Sequence, residues 1–374
     1  MRRLLPLLVS TGLLLTGCGT IADLDPLFSP DHGPERTLEI SNFVGRIEIE
    51  ESRFFELPPA TAAMATQEGR TIRIDGRQDV AATRCHIWGD GVHIDPPGTD
   101  GAAVKIGRTD AGSDLPHLPV IRLKVGDSNL RLIVRDSMLF GTAGDLVSLD
   151  VKMADCGELD IGDVAEGARL VLSGHTKVDI DDAPSLDARL TGHAKAIAER
   201  IDRLDATLFE QAQIDVDEVT QAGRLAMADS TLGYVDMSSR DFTAALGQTA
   251  TLRMDRLTGY ARFTGIGMSR LEIEDAELLR LDANWSGRGG VDVDGKTVEA
   301  ILVADDSARM DINEVNGPLS VVADGQSEIR IHRDAALVAQ SRIRRSTLGL
   351  PPYLFKGPSA RYGVPATEAA PTAP

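Results

Sequence analysis

Apolar residues recur two apart in short runs along this chain, and from Leu146 onward the runs themselves recur. The pairs Leu159/Ile161, Val178/Ile180, Ala196/Ala198, Ile214/Val216, Leu232/Tyr234, Leu252/Met254, Leu271/Ile273, Val291/Val293, Met310/Ile312 and Ile329/Ile331 follow one another at steps of 19, 18, 18, 18, 20, 19, 20, 19 and 19 residues. Ten residues before each pair stands a second apolar or small residue: Leu149, Ala168, Leu186, Leu204, Ala222, Phe242, Ala261, Leu281, Ala300 and Leu319. A period of two within each run is the signature of a strand with one buried face. A unit of this size cannot bury its apolar face alone, but stacked copies form a continuous core. The pattern therefore predicts an all-β fold, a right-handed parallel β-helix of about ten rungs of 18–20 residues over 146–337. At about 4.8 Å per rung the stack would run on the order of 50 Å. An antiparallel sandwich also accommodates short strands; the strict phase favours the coil. Gly174, Gly192, Gly287 and Gly325 fall at matching turns, where glycine suits a corner of positive φ. Phe209-Glu210-Gln211 and Asp305-Asp306-Ser307 lack that glycine, which leaves the corner shape there open.

The flanks read differently. Residues 37–145 alternate in shorter, irregular runs that are expected to lead into or cap the array. After Leu337 the pattern dissolves, and 338–374 reads as a largely disordered Pro/Ala-rich tail, in which Leu348–Phe355 is placed to fold over the open last rung. At the other end, Arg2 and Arg3 precede an apolar run from Leu4 to Leu15, too short to span a bilayer. Leu15-Thr16-Gly17-Cys18 resembles the bacterial lipobox, which implies a lipoprotein signal peptide at 1–17 and lipidation of Cys18. Gly19 follows in place of the Asp associated with inner-membrane retention, so the expected address is the outer membrane, on its periplasmic face or at the cell surface. Acyl chains supply such an anchor at about 0.8 kcal/mol per buried methylene. Residues 18–36 then form a flexible tether.

Composition narrows the partners. The net charge of −18 disfavours nucleic acid, whose phosphates require clustered Lys and Arg. Aromatic residues make up 4% of the chain, so small apolar side chains must do most of the packing. After removal of the signal, Cys85 and Cys156 remain as candidates for a disulfide.

The candidate chemistry lies on the outer face. Asp160, Asp179, Asp215, Glu272, Asp292 and Asp311 form one outward column, and Asp181, Glu199, Asp217, Asp255, Glu274 and Asp294 the next. The Asp-x-Asp pairs Asp179/Asp181, Asp215/Asp217 and Asp292/Asp294 supply hard oxygen ligands for weak Ca²⁺ binding. Strands project such side chains in parallel, however, and a solvated acidic face is the favoured reading of them. His175 and His193 occupy equivalent corners; their column continues as Gln211, Asp229, Thr249, Met268, Arg288, Ser307 and Gln326, which reads as a polar turn position before it reads as a metal site.

The repeated form apolar-x-apolar, Ser/Thr-Gly-polar-small-polar, apolar-Asp-apolar, seen in LVLSGHTKVDI, ARLTGHAKAIA and DANWSGRGGVDV, resembles the head GIN domain family, described as adhesin-like. Asn42 to Ile49 looks like that family's leading strand. The resemblance implies a β-helix in a secreted or anchored bacterial protein and no established catalytic residues. The expected function is non-enzymatic: a lipid-anchored envelope protein whose repeated surface binds a glycan, a matrix or an envelope protein. The alternatives are a structural periplasmic rod and, by analogy with other β-helices, a carbohydrate-active enzyme.

Overall fold

The computed structural model describes residues 35–52, 55–76, 84–88, 91–95, 104–107, 118–126, 130–334, 342–344, 347–348 and 353–356. The signal peptide, Cys18, most of the tether and most of the tail lie outside them. The described residues belong to one compact unit, Gly33–Pro374. In chain order its strands are β1 (Arg36–Ser41), β2 (Val44–Ser52), β3 (Ala65–Glu68), β4 (Thr71–Asp75), β5 (Arg84–Trp88), β6 (Gly91–Asp95), β7 (Val104–Gly107), β8 (Val120–Gly126), β9 (Leu130–Ala143), β10 (Leu146–Met153), β11 (Cys156–Ile161), β12 (Val164–Leu172), β13 (His175–Leu190), β14 (Lys195–Leu208), β15 (Gln213–Met227), β16 (Leu232–Leu246), β17 (Thr251–Gly267), β18 (Arg270–Gly287), β19 (Gly290–Asp306), β20 (Arg309–Val315), β21 (Leu319–Ala323), β22 (Glu328–Asp334), β23 (Arg342–Arg344), β24 (Thr347–Leu348) and β25 (Tyr353–Lys356). One short helix, α1, spans Pro59–Ala62.

From β9 to β22 each strand pairs in parallel with its counterpart one coil later, giving a β-solenoid of about 11 turns. Val178 lies against Ala196, Ala196 against Ile214, and all three are fully buried. On the adjoining sheet Leu186 lies against Leu204. Each inward Leu, Ile or Val adds about 1.5–3 kcal/mol by leaving water, and the next coil covers it.

The register corrects two sequence assignments. Ile214 lies against Gly233, not Leu232, and Leu204 lies against Gly223, not Ala222. Leu232, Tyr234 and Ala222 thus face outward and are half-buried. With Gly233 in place, the steps of the first column become 19, 18, 18, 19, 19, 19, 20, 19 and 19 residues. The cause is packing across coils. A Cβ on Gly223 would sit 2.3 Å from the Phe242 ring, and one on Gly265 would sit 2.0 Å from the Trp285 ring. Interior glycine in one coil makes room for an aromatic in the next.

The corner between the two sheets has one backbone solution in every coil. Asp155, Gly174, Gly192, Glu210, Asp229, Gln248, Gly267, Gly287, Asp306 and Gly325 all have positive φ, between 53° and 105°. From Gly174 onward the residue after each donates its N–H to the corner carbonyl one coil before, as in His193 to Gly174, Gln211 to Gly192 and Ser230 to Glu210. The coils at Glu210 and Asp306 therefore keep the corner shape without glycine. Just inside it runs a buried column of small residues, among them Thr176, Ala194, Ala212, Ala250 and Ala308.

The leading strands join this stack out of sequence order. β1 lies between β4 and the first half of β9, and β2 lies between β8 and the second half of β9. The chain thus enters one coil in, returns to build the terminal coil from β4 and β8, and then continues on the other side. Leu38, Ile47, Ile72 and Ile121 belong to the same apolar core as the later coils. β3 pairs antiparallel with β4, and β5, β6 and β7 form a separate antiparallel sheet. Thr61 of α1 locks onto β8, accepting the Arg122 N–H at 2.9 Å and donating to its carbonyl at 3.0 Å. At the other end β25 pairs antiparallel with β22, covering the last parallel edge over part of the stretch expected to do so. Cys156 is buried and disulfide-bonded; the side chain of Cys85 lies outside the described residues.

The corner conformation predicts opposite effects of opposite substitutions. A Cβ on Gly174 would sit 2.6 Å from the Asp155 carbonyl in a left-handed backbone, so Gly174→Ala should cost about 1–3 kcal/mol. Glu210→Gly should be neutral or stabilising, by up to about 1 kcal/mol. Thermal melts of the two variants check this; equal losses in both would contradict the corner assignment.

Candidate functional site

Side chains that alternate outward from the coil form columns with one residue per coil. On the sheet carrying Val178 and Ile180 the first outward column runs Asp160, Asp179, Ile197, Asp215, Tyr234, Arg253, Glu272, Asp292, Asp311 and Arg330. Its carboxylates are largely matched by cations beside them. Lys177 meets Asp179 at 3.3 Å, Lys195 meets Asp215 at 3.2 Å, and Glu272 receives both Arg253 at 2.8 Å and Arg270 at 2.7 Å. Each exposed pair contributes little on its own, but alternating sign removes the repulsion a pure acidic column would carry.

The next column is different. It follows the buried residues Ile180, Ala198, Val216, Val235, Met254, Ile273 and Val293, and reads Asp181, Glu199, Asp217, Asp236, Asp255, Glu274 and Asp294. These are seven consecutive coils of carboxylate. Sequence reading missed Asp236, because the one-residue slip at Gly233 displaced it from the pattern. Asp294 is capped by the Asn313 amide and by the Gly295 N–H at 2.8 Å. Desolvation by burial, followed by Asp255, Asp217 and Asp215, pushes the Asp236 carboxyl above the ordinary carboxylate range. Asp181 is pushed the same way by burial and then by Asp163, Asp179, Asp182 and Asp145.

The Asp-x-Asp pairs do not converge. Asp179 and Asp181, Asp215 and Asp217, and Asp292 and Asp294 flank single buried residues and project outward side by side. Among the described residues no three His, Cys, Asp or Glu side chains are grouped to hold a metal ion. What this surface offers cations is a line of negative potential along the stack.

His175 and His193 do meet. Their rings stack at 4.5 Å between centroids and 10° between planes. Burial, and then the neighbouring His193, hold the His175 imidazole below its ordinary pKa. Their column begins with the buried Cys156 and continues through Gln211, Ser230, Thr249, Met268 and Arg288. Ser230, not Asp229, holds that place; Asp229 is the positive-φ corner residue before it. Ser230 and Thr249 join hydroxyls at 3.1 Å.

Two surface clefts interrupt the columns. One, of about 650 Å³, opens at Gly289–Gly290 among Met268, Arg270, Arg288, Arg309 and Asp292. The other, of about 450 Å³, lies among Asp145, Asp163, Asp182, Arg200 and Asp202. In the second, Arg200 already bridges Asp182 at 2.8 Å and Glu218 at 3.1 Å. Near the carboxyl end Ile301, Val303 and Val322 point outward, half-buried, between fully buried neighbours. Tyr260, Leu279 and Val298 are more exposed, at 54%, 52% and 49%.

No protein-family model, no curated protein and no solved structure matches this chain. None of these comparisons supports the resemblance to the head GIN family, which rests on the repeated motif and on Asn42 to Ile49.

The carboxylate column predicts an unusual pH response. A carboxyl whose pKa is raised by folding binds its proton more tightly in the native than in the unfolded state, so stability rises as pH falls through that raised value toward the ordinary carboxylate range. His175, held low, acts oppositely: stability is lost as pH falls from about 6.5 through its depressed pKa. Asp236→Asn should therefore raise the melting temperature at neutral pH by relieving like-charge contacts of about 0.2–1 kcal/mol each. That advantage should vanish once the column is protonated in acid. A variant less stable than the parent at neutral pH would refute the reading.

Proposed function

We propose that this chain is a non-enzymatic, lipid-anchored protein of the bacterial outer membrane whose solenoid surface binds a glycan, a matrix component or another envelope protein. The observation that carries the reading is the division between inside and outside. The interior is filled to its axis by apolar side chains, so the outward columns and their clefts are the surface on which chemistry is displayed. Ligand sites on such a surface repeat along one axis, which suits extended polymers better than compact substrates. The anchor rests on Arg2, Arg3, the Leu4–Leu15 run and Leu15-Thr16-Gly17-Cys18. Among the described residues no helix is long and apolar enough to cross a membrane.

A rod that polymerises end to end is disfavoured by the termini of the stack. β3 lies antiparallel on β4 of the first coil, and β25 lies antiparallel on β22 of the last, so at each end one strand edge is closed to continuation by a second copy.

Lipidation also assigns the disulfide. The sequence holds three cysteines, Cys18, Cys85 and Cys156, and a thioether-linked Cys18 has no thiol to contribute. Cys85 is therefore the partner we propose for the disulfide-bonded Cys156.

Cys18→Ser should release the protein from membranes into the soluble fraction, and full membrane association of that variant would remove the anchor from the proposal. Protease added to intact cells should trim the protein if its ligand lies outside the cell; complete protection would confine it to the periplasmic face. Peptide mapping without reductant should recover one linked fragment containing Cys85 and Cys156.

A further inference from the structure

The cleft at Gly290 differs from the rest of the outward surface in what it lacks. Gly290 occupies an outward position directly between Arg270 on the preceding coil and Arg309 on the following one. Its neighbours in that column, one coil away on either side, thus flank a place with no side chain of its own. Two residues upstream Arg288 stands exposed at the corner, and beside it Met268 is 61% exposed. The opening measures about 650 Å³, enough for one or two sugar rings.

The charges around it are unequal in commitment. Arg270 is held by Glu272 at 2.7 Å, and Arg330 by Glu328 at 3.0 Å. Arg288 and Arg309 are both exposed and engage no carboxylate among the described residues. In a protein of net charge −18 two uncommitted guanidiniums at one notch make a local site for an anion. The lining also carries Asp311, which is already engaged by His332 and by Arg330 at 3.8 Å, and Asp292, whose carboxylate would repel a dianion such as phosphate but accept hydrogen bonds from hydroxyls. A planar monoanion matches the guanidinium fork, and the apolar Met268 side chain suits the C–H face of a pyranose.

We propose that this cleft is a subsite for a carboxylate-bearing sugar of an acidic glycan, with Arg288 and Arg309 binding the carboxylate and Asp292 accepting from the ring hydroxyls. The assignment rests on the glycan-binding reading above and names the class of glycan. It makes the solenoid selective for polyuronate-like chains despite its overall negative charge.

Calorimetric titration of the full chain with a galacturonate trisaccharide, its methyl ester and a sulfated disaccharide tests this. The free acid should bind, and the neutral ester should bind about tenfold more weakly or not at all. Arg288→Ala with Arg309→Ala should weaken the free acid by about tenfold or more without changing the melting temperature. The same loss of charge by Arg224→Ala with Arg262→Ala, on the other sheet, should leave binding within about twofold. Unchanged affinity in the first double variant, or equal loss in both, overturns the site. Tighter binding of the sulfated sugar overturns the carboxylate assignment. Failure of the chain to bind either galacturonate form overturns the inference, whereas the broader reading falls only if neutral glycans and isolated envelope fractions are also not retained.

Discussion

The structure depends on a single repeated constraint: once per coil the backbone must pass through a left-handed residue and hand its next N–H to the carbonyl below. That step fixes the phase of every side chain that follows. Because the corner carbonyl and the N–H above it are paired coil to coil, a slip of one residue would turn an apolar face outward over the whole sheet. Glycine meets the requirement without strain at Gly174, Gly192, Gly267, Gly287 and Gly325. Asp155, Asp229 and Asp306 also meet it, in keeping with the tolerance of short polar side chains for this region, while Glu210 and Gln248 hold it against a local cost. The stack can impose that cost because the neighbouring coils over-determine the corner.

A fixed phase also frees the core to share volume between coils. Gly223 beneath Phe242 and Gly265 beneath Trp285 are pairs in which one coil donates space and the next fills it. The Trp285 indole N–H donates to the Ser269 carbonyl at 3.1 Å, so the largest interior side chain is polar-satisfied as well as packed. With few aromatics available, such complementary pairs let a chain rich in small apolar residues fill its interior.

The same two features explain what could be read from the sequence. The coil period was legible because apolar residues at two-residue spacing are required once per turn of the solenoid. It failed at Gly223 and Gly233, where the inward residue has no side chain and the pattern settled on a flanking Ala or Leu instead. Asp236 was lost with that slip, and with it the continuity of the carboxylate column. The order of the leading coils was not legible at all, since placing β4 and β8 outside β1 and β2 depends on contacts far apart in sequence that no local pattern encodes. The cleft was visible only as three residues in one column, Arg270, Gly290 and Arg309, and a glycine among outward positions carries no hydrophobic signal. Which charges are already paired is a property of rotamers and neighbouring coils and must be read from coordinates.

Repetition carries a liability that the surface answers in three ways. A coil every ~4.8 Å places like side chains within strong interaction range, so any outward residue type that recurs becomes a ladder. On the first outward column the ladder is broken by cations within it, such as Arg253, and by others from the column beside it, such as Lys177 and Arg270. On the second it is left acidic, and stacked carboxylates there keep the corner hydrated and discourage lateral association of one solenoid with another. At the ends the liability is the open parallel edge itself, and there the chain reverses: the antiparallel β3 and β25 occupy hydrogen-bonding positions that another copy would otherwise extend. Acidic flanks and reversed ends together leave the interrupted places in the columns as the positions where a partner can approach. Gly290 is such a place, because there the column loses its side chain while its basic neighbours remain.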